Sequence, residues 1–513
     1  MRFLAPPVTS NAAIATALVL IAVAACIGCV GPMNSPSASA SSVANTVSFT
    51  SGAVSATVHP LVASYSFTSP VAANVAVEFG SDTTYGRSTS AQAVGAGQTV
   101  NILVAGMRAS STYHMRAFVQ YAGGSYRDSD HTFSTGAPPA GAIPLTLATR
   151  APGATPTPGV ELLDLVVPNG QFETIATDLD GSLIWYYAYQ AGLGANPVRV
   201  MPNGNLFILV GPDIAREIDL AGNTIQELTP EILNTRLATA GFGLRVAHFH
   251  HDTLPLANGH IVLLCQLTET IPNVADAAGP IAVSGDALVD VDSNLNPGWT
   301  WSAFDHLDVN RHPMDIEDWT HGNALLYSPA DGALLFSMRN QHWVLKIDYG
   351  NGHGTGNVIW RLGSGGDFTL LGGNEQDWFF GQHFPTFAGN ASAGVFPLAL
   401  FDNRAASNFG SICATTSNTC YSRALILSLD ETARTANVSW DHALSLYSWW
   451  GGSMQVFGNG NVEYTLSNPF PGLGARAVEE SRDSRQLVWQ LDIIGQLAYR
   501  AYRIPSLYPG VQW

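Results

Sequence analysis

The sequence predicts an all-β protein, a six-bladed β-propeller preceded by a small β-sandwich. Short β-runs broken by Asn-Gly or Asp-Gly turns recur from Val160 to the C-terminus, as at Asn203-Gly204, Asn258-Gly259, Asp331-Gly332 and Asn459-Gly460. Their spacing of roughly 40–60 residues is the period of propeller blades. Each unit closes on a strand carrying a tryptophan, among them Trp185, Trp360, Trp440 and Trp489. Helical periodicity is nearly absent, with one candidate helix at Thr229–Ala238. The 50 glycines and 29 prolines suit a fold of many short strands and tight turns.

The N-terminus reads as a targeting segment. Arg2 precedes an apolar stretch, Ala12–Ala25, too short for a spanning helix. Val23-Ala24-Ala25-Cys26 resembles the lipobox of bacterial lipoproteins, so residues 1–26 read as a signal peptide and Cys26 as the lipidation site. The alternative is secretion with cleavage among the neighbouring small residues. Either reading predicts export to the periplasm or cell envelope; lipidation makes a lipid anchor the one membrane contact. Residues 27–46, rich in Ser, Ala and Pro, form a flexible tether.

Residues 47–136 alternate Thr, Val, Ser and Ala in about seven short strands, a β-sandwich similar to fibronectin type III domains. Tyr113 stands where those domains carry a corner tyrosine, whose hydroxyl bonds back to the upstream backbone. Residues 137–159 (APPAGAIPLTLATRAPGATPTPG) read as an extended Pro-rich linker. Residues 160–513 form the propeller.

A net charge of −17, with Lys346 the single lysine, excludes nucleic acid, which demands a basic face. Cys413 and Cys420 bracket a polar loop and read as a loop-stapling disulfide. Cys265 lies in the apolar run Ile261–Cys265 and reads as a buried thiol.

Chemistry-bearing residues gather before three hairpins. His321 and Asn323, two apart in an extended strand, share a face. The Ala330-Asp331-Gly332 turn brings Arg339 back to the level of His321, so one hairpin offers a base, an amide and a permanent cation. His248-Phe249-His250-His251-Asp252 precedes a second hairpin and Gln382-His383 a third. Strand alternation favours His250 as the inward residue, because it stands eight residues before its turn as Asn323 stands before Asp331; His251 then faces away. The blander readings are core histidines and, for Arg339, a structural salt bridge. His248-x-His250-x-Asp252 matches a metallo-hydrolase run, but Thr253 stands where that run needs another histidine, and no metal is predicted.

Taken in order, these segments resemble the bacterial arylsulfate sulfotransferase family, which uses no nucleotide sulfate donor. The residues that carry the likeness are His250-His251-Asp252 before Asn258-Gly259, Asp318-Trp319-x-His321-x-Asn323 with Ser337-x-Arg339-x-Gln341, Gln382-His383 before Leu400-Phe401-Asp402-Asn403, and Gly452-Ser453-Met454-Gln455 before Asn459-Gly460-Asn461. The resemblance implies transfer of a sulfuryl group from a phenolic sulfate ester to a phenolic acceptor through a sulfated histidine, His383. It implies that His321, Asn323 and Arg339 bind the sulfate and that the His250-His251 pair supplies the remaining histidine. It implies no cofactor, and small aryl sulfates and phenols as partners; a homodimer stays open. The Cys413–Cys420 pair resembles that family's short-loop disulfide. After His383 come Phe384-Pro385-Thr386, where the family has small and polar residues, and the aromatic set Trp378, Phe379, Phe380 and Phe384 is expected at the mouth of the site. The competing function is an exported propeller that binds a ligand or partner without turnover.

Overall fold

The computed structural model describes residues 47–138, 145–166, 174–187, 197–274, 278–389, 394–405, 421–470 and 474–513. Cys26, Cys413 and Cys420 lie outside them, as do the signal segment and the tether.

The chain is all-β. Its first strands form a three-stranded sheet (Ala53–Ala56, Ala63–Ser69, Gln98–Val104) and a six-stranded sheet centred on Ala73–Gly80 and Thr112–Tyr121. Burial alternates along Thr112–Tyr121, sending Tyr113, Met115, Ala117 and Val119 into a core with Tyr65, Phe67 and Val77. The Arg108 amide donates to the Tyr113 hydroxyl at 2.9 Å, the backward bond expected of a corner tyrosine.

Six sheets follow, antiparallel throughout except for a two-residue strand, Thr369–Leu370, paired parallel at the edge of the fifth. The second holds Val198–Val200, Leu206–Val210, Ile214–Ile218 and Thr224–Leu228. The third runs from His248–Pro255 to Pro297–Ser302, the fourth from Gly322–Ser328 to Val358–Leu362, and the fifth from His383–Phe387 to Thr435–Ala443. The sixth runs from Ser453–Val456 to Leu487–Ile494. The first sheet combines three early strands, Val160–Val166, Thr174–Thr177 and Leu183–Tyr187, with the last strand of the chain, Leu497–Ile504. The turn glycines Gly204, Gly259, Gly332 and Gly460 adopt φ between 70° and 89°, which is why Asn-Gly and Asp-Gly recur there. A middle strand such as Leu206–Val210 is buried throughout, so its sequence is continuously apolar rather than alternating.

The recurring tryptophans stitch most of the sheets to the next. Indole N–H groups of Trp185, Trp301, Trp440 and Trp489 donate to the carbonyls of Leu220, Gly356, Arg482 and Leu179, and that of Trp360 donates to Glu431. These bonds run from first sheet to second, third to fourth, fourth to fifth, fifth to sixth, and sixth back to first. Gln226 bridges the second and third through Ser293 O at 3.1 Å.

Two expectations need adjustment. The stretch read as a linker contains a strand, Leu145–Arg150, paired antiparallel with Leu487–Ile494 at the edge of the sixth sheet. Its alternating Leu-Thr-Leu-Ala-Thr run pairs like any strand, and the flanking prolines hid it. The helix appears at Pro230–Thr239, one residue later than expected, capped by the Thr229 side chain accepting from the Ile232 amide. The amino-terminal sheets pack onto the rest through polar bonds: Ala105 N donates to Tyr508 Oη at 2.7 Å, and Arg108 pairs with Asp178 and Asp180.

Candidate active site

The first strands of the third, fourth and fifth sheets lie side by side, and each is irregular where it carries a histidine. Register shifts fall between Phe249 and Thr253, between Gly322 and Ala324, and between His383 and Thr386. His251, His321 and Phe384 adopt left-handed φ of 58°, 46° and 45°. For branched or aromatic side chains that costs about 1–2 kcal/mol each, strain that persists only where surrounding contacts impose it.

These bulges bring the expected residues together around Tyr499 on the final strand. The His251 ring lies 5.4 Å from the Tyr499 ring and 4.6 Å from the His321 ring. The His383 ring lies 5.9 Å from Tyr499 on another side. The Arg339 amide donates to His321 O at 3.1 Å, so the hairpin returns Arg339 as its turn requires. A cavity of about 130 Å³ opens between His250, His251, Asp286, Asp318 and His321.

The choice between the adjacent histidines changes. Alternation pointed His250 inward and His251 away, but the bulge turns both to the site. His251 is the more central, packed on His321 and Tyr499. His250 stands behind it, its Nδ1 2.9 Å from His251 Nδ1 and its Nε2 3.0 Å from Asp286. The metallo-hydrolase string is dispersed: His248 turns out to Asp213, and Asp252 turns in to Arg199 and Arg500.

His383 is buried. Its Nδ1 faces Asn403 Oδ1 at 2.7 Å and Gly381 O at 3.1 Å, while Nε2 accepts from the Gly451 amide at 3.2 Å. Burial, then the charges of Arg339, His321 and Arg500, outweigh the Asn403 bond and hold its pKa well below the usual imidazole value. His251 is likewise held neutral by burial and by His321, His250, His383 and Arg500. Both are therefore unprotonated bases at neutral pH.

His321 Nδ1 meets Asp318 Oδ2 at 2.6 Å. Burial pushes the Asp318 carboxyl up, but the bond and charge of His321, with Arg339, bring it below the ordinary carboxylate range. Arg339 bonds Asn340 Oδ1 at 2.7 Å, and no carboxylate among the described residues comes within ion-pair distance of it. Burial therefore lowers its pKa, against the opposing pull of Asp318. A guanidinium desolvated without a paired carboxylate is poised for an anion. Asn323, expected as a sulfate donor, is fully buried and donates through Nδ2 to Gln382 O at 2.7 Å, tying the fourth sheet to the residue before His383. Its Oδ1 has no hydrogen-bond partner among the described residues.

The aromatic set expected at the mouth is core instead: Trp378, Phe379 and Phe380 are at most 2% exposed, and Phe384 lies under the Arg500 guanidinium at 4.4 Å. Residues that motif reading left out complete the site. Arg500 joins Asp252, His251 O and Asn323 O, so one buried cation fastens the strands of two histidine segments. Asp164, beside it, is pushed up to about 7 by burial. Tyr447 lies close enough to Arg339 for each to perturb the other. Asp318 and Asn403 stood within the quoted motifs; nothing local marks Arg500 or Tyr499.

No curated protein matches the chain. Among solved structures, the Bacteroides vulgatus member of the DUF4221 family is 8% identical, with 71% of this chain and 98% of that one covered at a TM-score of 0.32. BamB from Moraxella catarrhalis is 9% identical, with 68% and 97% covered at 0.27. Likenesses this weak carry no argument about architecture or activity. Residues 154–476 match the family model described as arylsulfotransferase (ASST), a span of well over half the chain that holds all the clustered histidines, and the chain belongs to the arylsulfotransferase family.

Proposed function

We propose that the protein moves a sulfuryl group from a phenolic sulfate ester to a phenolic acceptor by a ping-pong route, with His383 as the carrier. The observation that carries this reading is the pairing of a buried, neutral His383 with a partly buried Arg339 whose side chain, among the described residues, bonds only the Asn340 amide oxygen. A neutral imidazole is a competent nucleophile, and an unpaired guanidinium supplies fixed charge to sulfuryl oxygens. Sulfuryl transfer, like phosphoryl transfer, needs positioning and charge stabilisation more than covalent chemistry from the protein.

In the first half-reaction His383 Nε2 attacks sulfur while Arg339 holds the equatorial oxygens. His321 gives its Nε2 proton to the departing phenolate while Asp318 holds the ring through Nδ1. In the second half the same histidine removes the acceptor's proton, and the phenolate takes the sulfuryl group from His383. His251 and His250 shape the cavity beside them, with Asn323 bracing His383's strand.

The same reading takes the six linked sheets as six blades of a propeller closed by the last strand, and the amino-terminal pair as a fibronectin III-like sandwich. It includes export, acylation of Cys26 and a Cys413–Cys420 staple. Mass spectrometry after brief exposure to an aryl sulfate without acceptor is the test. A sulfated peptide containing His383, absent from His383→Asn, is expected. Intersecting rather than parallel double-reciprocal plots, or full activity in His383→Asn, would refute it.

A further inference from the structure

We infer that Asn403 is a positioning residue that fixes which nitrogen of His383 reacts, an inference that rests on the reading of His383 as the sulfuryl carrier. Asn403 is fully buried at the end of the Val395–Asp402 strand. Its Nδ2 donates to two carbonyls, Ser448 O at 2.7 Å and Gly451 O at 2.9 Å. Those carbonyls can only accept, so the amide has one orientation, with Oδ1 toward His383. Oδ1 can only accept as well, so the His383 nitrogen 2.7 Å from it, Nδ1, must carry the proton. Gly381 O, also an acceptor, faces the same nitrogen at 3.1 Å. The other nitrogen, Nε2, accepts from Gly451 N–H, and a nitrogen that accepts is unprotonated. Each partner is a backbone group or a side chain whose own bonds fix it, so Nε2 is left with the lone pair.

That assignment defines the chemistry. The Nε2 lone pair forms the N–S bond, the S–O(aryl) bond breaks, and the phenolate leaves with the bonding pair. The imidazole ring becomes cationic with Nδ1–H intact. Asn403 Oδ1 then accepts from a stronger donor than in the resting enzyme, so the bond tightens as the intermediate forms. When the acceptor phenolate attacks sulfur, the N–S pair returns to Nε2 and the ring is neutral again. Gly451 N–H occupies Nε2 at rest, and Gly451 moves aside for the sulfuryl group. Gly451 belongs to the segment that Asn403 grips through two carbonyls, so one side chain both orients the ring and anchors the group covering it.

Neutron diffraction from the deuterium-exchanged full chain at neutral pH tests the assignment without substrate. A deuteron on His383 Nδ1 and none on Nε2 is expected; a deuteron on Nε2 overturns the inference. Asn403→Leu, close in shape and without polar atoms, is expected to lower kcat for the donor half-reaction about 100-fold with KM for the donor unchanged, on the scale of a lost partner to a functional histidine. A folded Asn403→Leu with wild-type kcat, or a loss confined to KM, also overturns it. If that variant does not fold, the neutron map of the unaltered chain still decides. A deuteron on Nδ1 in a chain that forms no sulfated histidine with any aryl sulfate leaves the tautomer standing and overturns the carrier role on which the inference rests.

Discussion

Arg339→Ala separates activity from stability in opposite directions. The guanidinium is partly buried, its side chain has one hydrogen-bond partner among the described residues, Asn340 Oδ1, and desolvation lowers its pKa. The folded state therefore holds a charge it has not fully compensated, and removing it relieves desolvation at the loss of one hydrogen bond of about 1 kcal/mol. The melting temperature of the variant should match or exceed that of the parent. Activity should fall, because on the proposed route the same charge faces the sulfuryl oxygens in both half-reactions. Loss of one preorganised donor costs about 3 kcal/mol of transition-state stabilisation, roughly a 100-fold slowing. Arg339 is also the largest charge lowering the basicity of His383. Its removal should raise the His383 pKa and move the acid limb of the pH–rate profile upward, toward the ordinary imidazole value. Rapid-quench measurement of donor cleavage without acceptor, then of transfer from the isolated sulfo-enzyme, reads both halves. Slowing of one half alone, an unmoved acid limb, or a lower melting temperature would each refute the reasoning.

Asp318→Asn removes the charge that supports His321 at 2.6 Å; the rate with a poor phenolate leaving group should drop about tenfold or more while that with an activated nitrophenyl sulfate changes little, read by comparing donors. Arg500→Leu strips Asp252 of one of its two arginines and takes from buried Asp164 the larger of its two opposing charges, leaving Arg199; urea unfolding should show a loss of about 3–5 kcal/mol. His342, which accepts from the Gly381 amide at 3.0 Å, is lowered to about 3 by burial and by Arg311 and Arg339. Its folded pKa lies below the unfolded value, so its contribution is fully present above about pH 6.5 and is lost as pH falls toward 3. Between pH 6.5 and 5 that is about 2 kcal/mol, and His342→Gln should flatten the stability profile across that window.

Much of this was readable from the chain because the signals are local. Asn-Gly turns require a left-handed glycine, so they mark hairpins wherever they stand, and each indole at a sheet edge needs an acceptor in its neighbour. The hairpin from Gly322 to Met338 and the return of Arg339 to His321 follow from turn position alone. Alternation failed at His250 and His251 because a register shift interrupts the strand between Phe249 and Thr253, and a bulge has no fixed sequence mark. The aromatic residues from Trp378 to Phe384 looked like a binding surface because composition does not distinguish a mouth from a core. Tyr499 and Arg500 could not be found from any local pattern, since their partners, Asn323 and Asp252, lie well over 150 residues away.

The pairing of Leu497–Ile504 with Val160–Val166 has a consequence for how the protein is made. Synthesis runs from the amino terminus, so the first sheet waits for its fourth strand until Leu497–Ile504 has been made. The Leu145–Arg150 strand likewise waits for Leu487–Ile494. Contacts of such long sequence separation form late and slowly. Arg500 and Tyr499 arrive with that closing strand, so a nascent chain holds its three histidine segments without the residues that gather them. Catalytic competence thus depends on synthesis past Arg500: a product stopped before Tyr499 has every residue of the His383, His321 and Arg339 set and should transfer nothing.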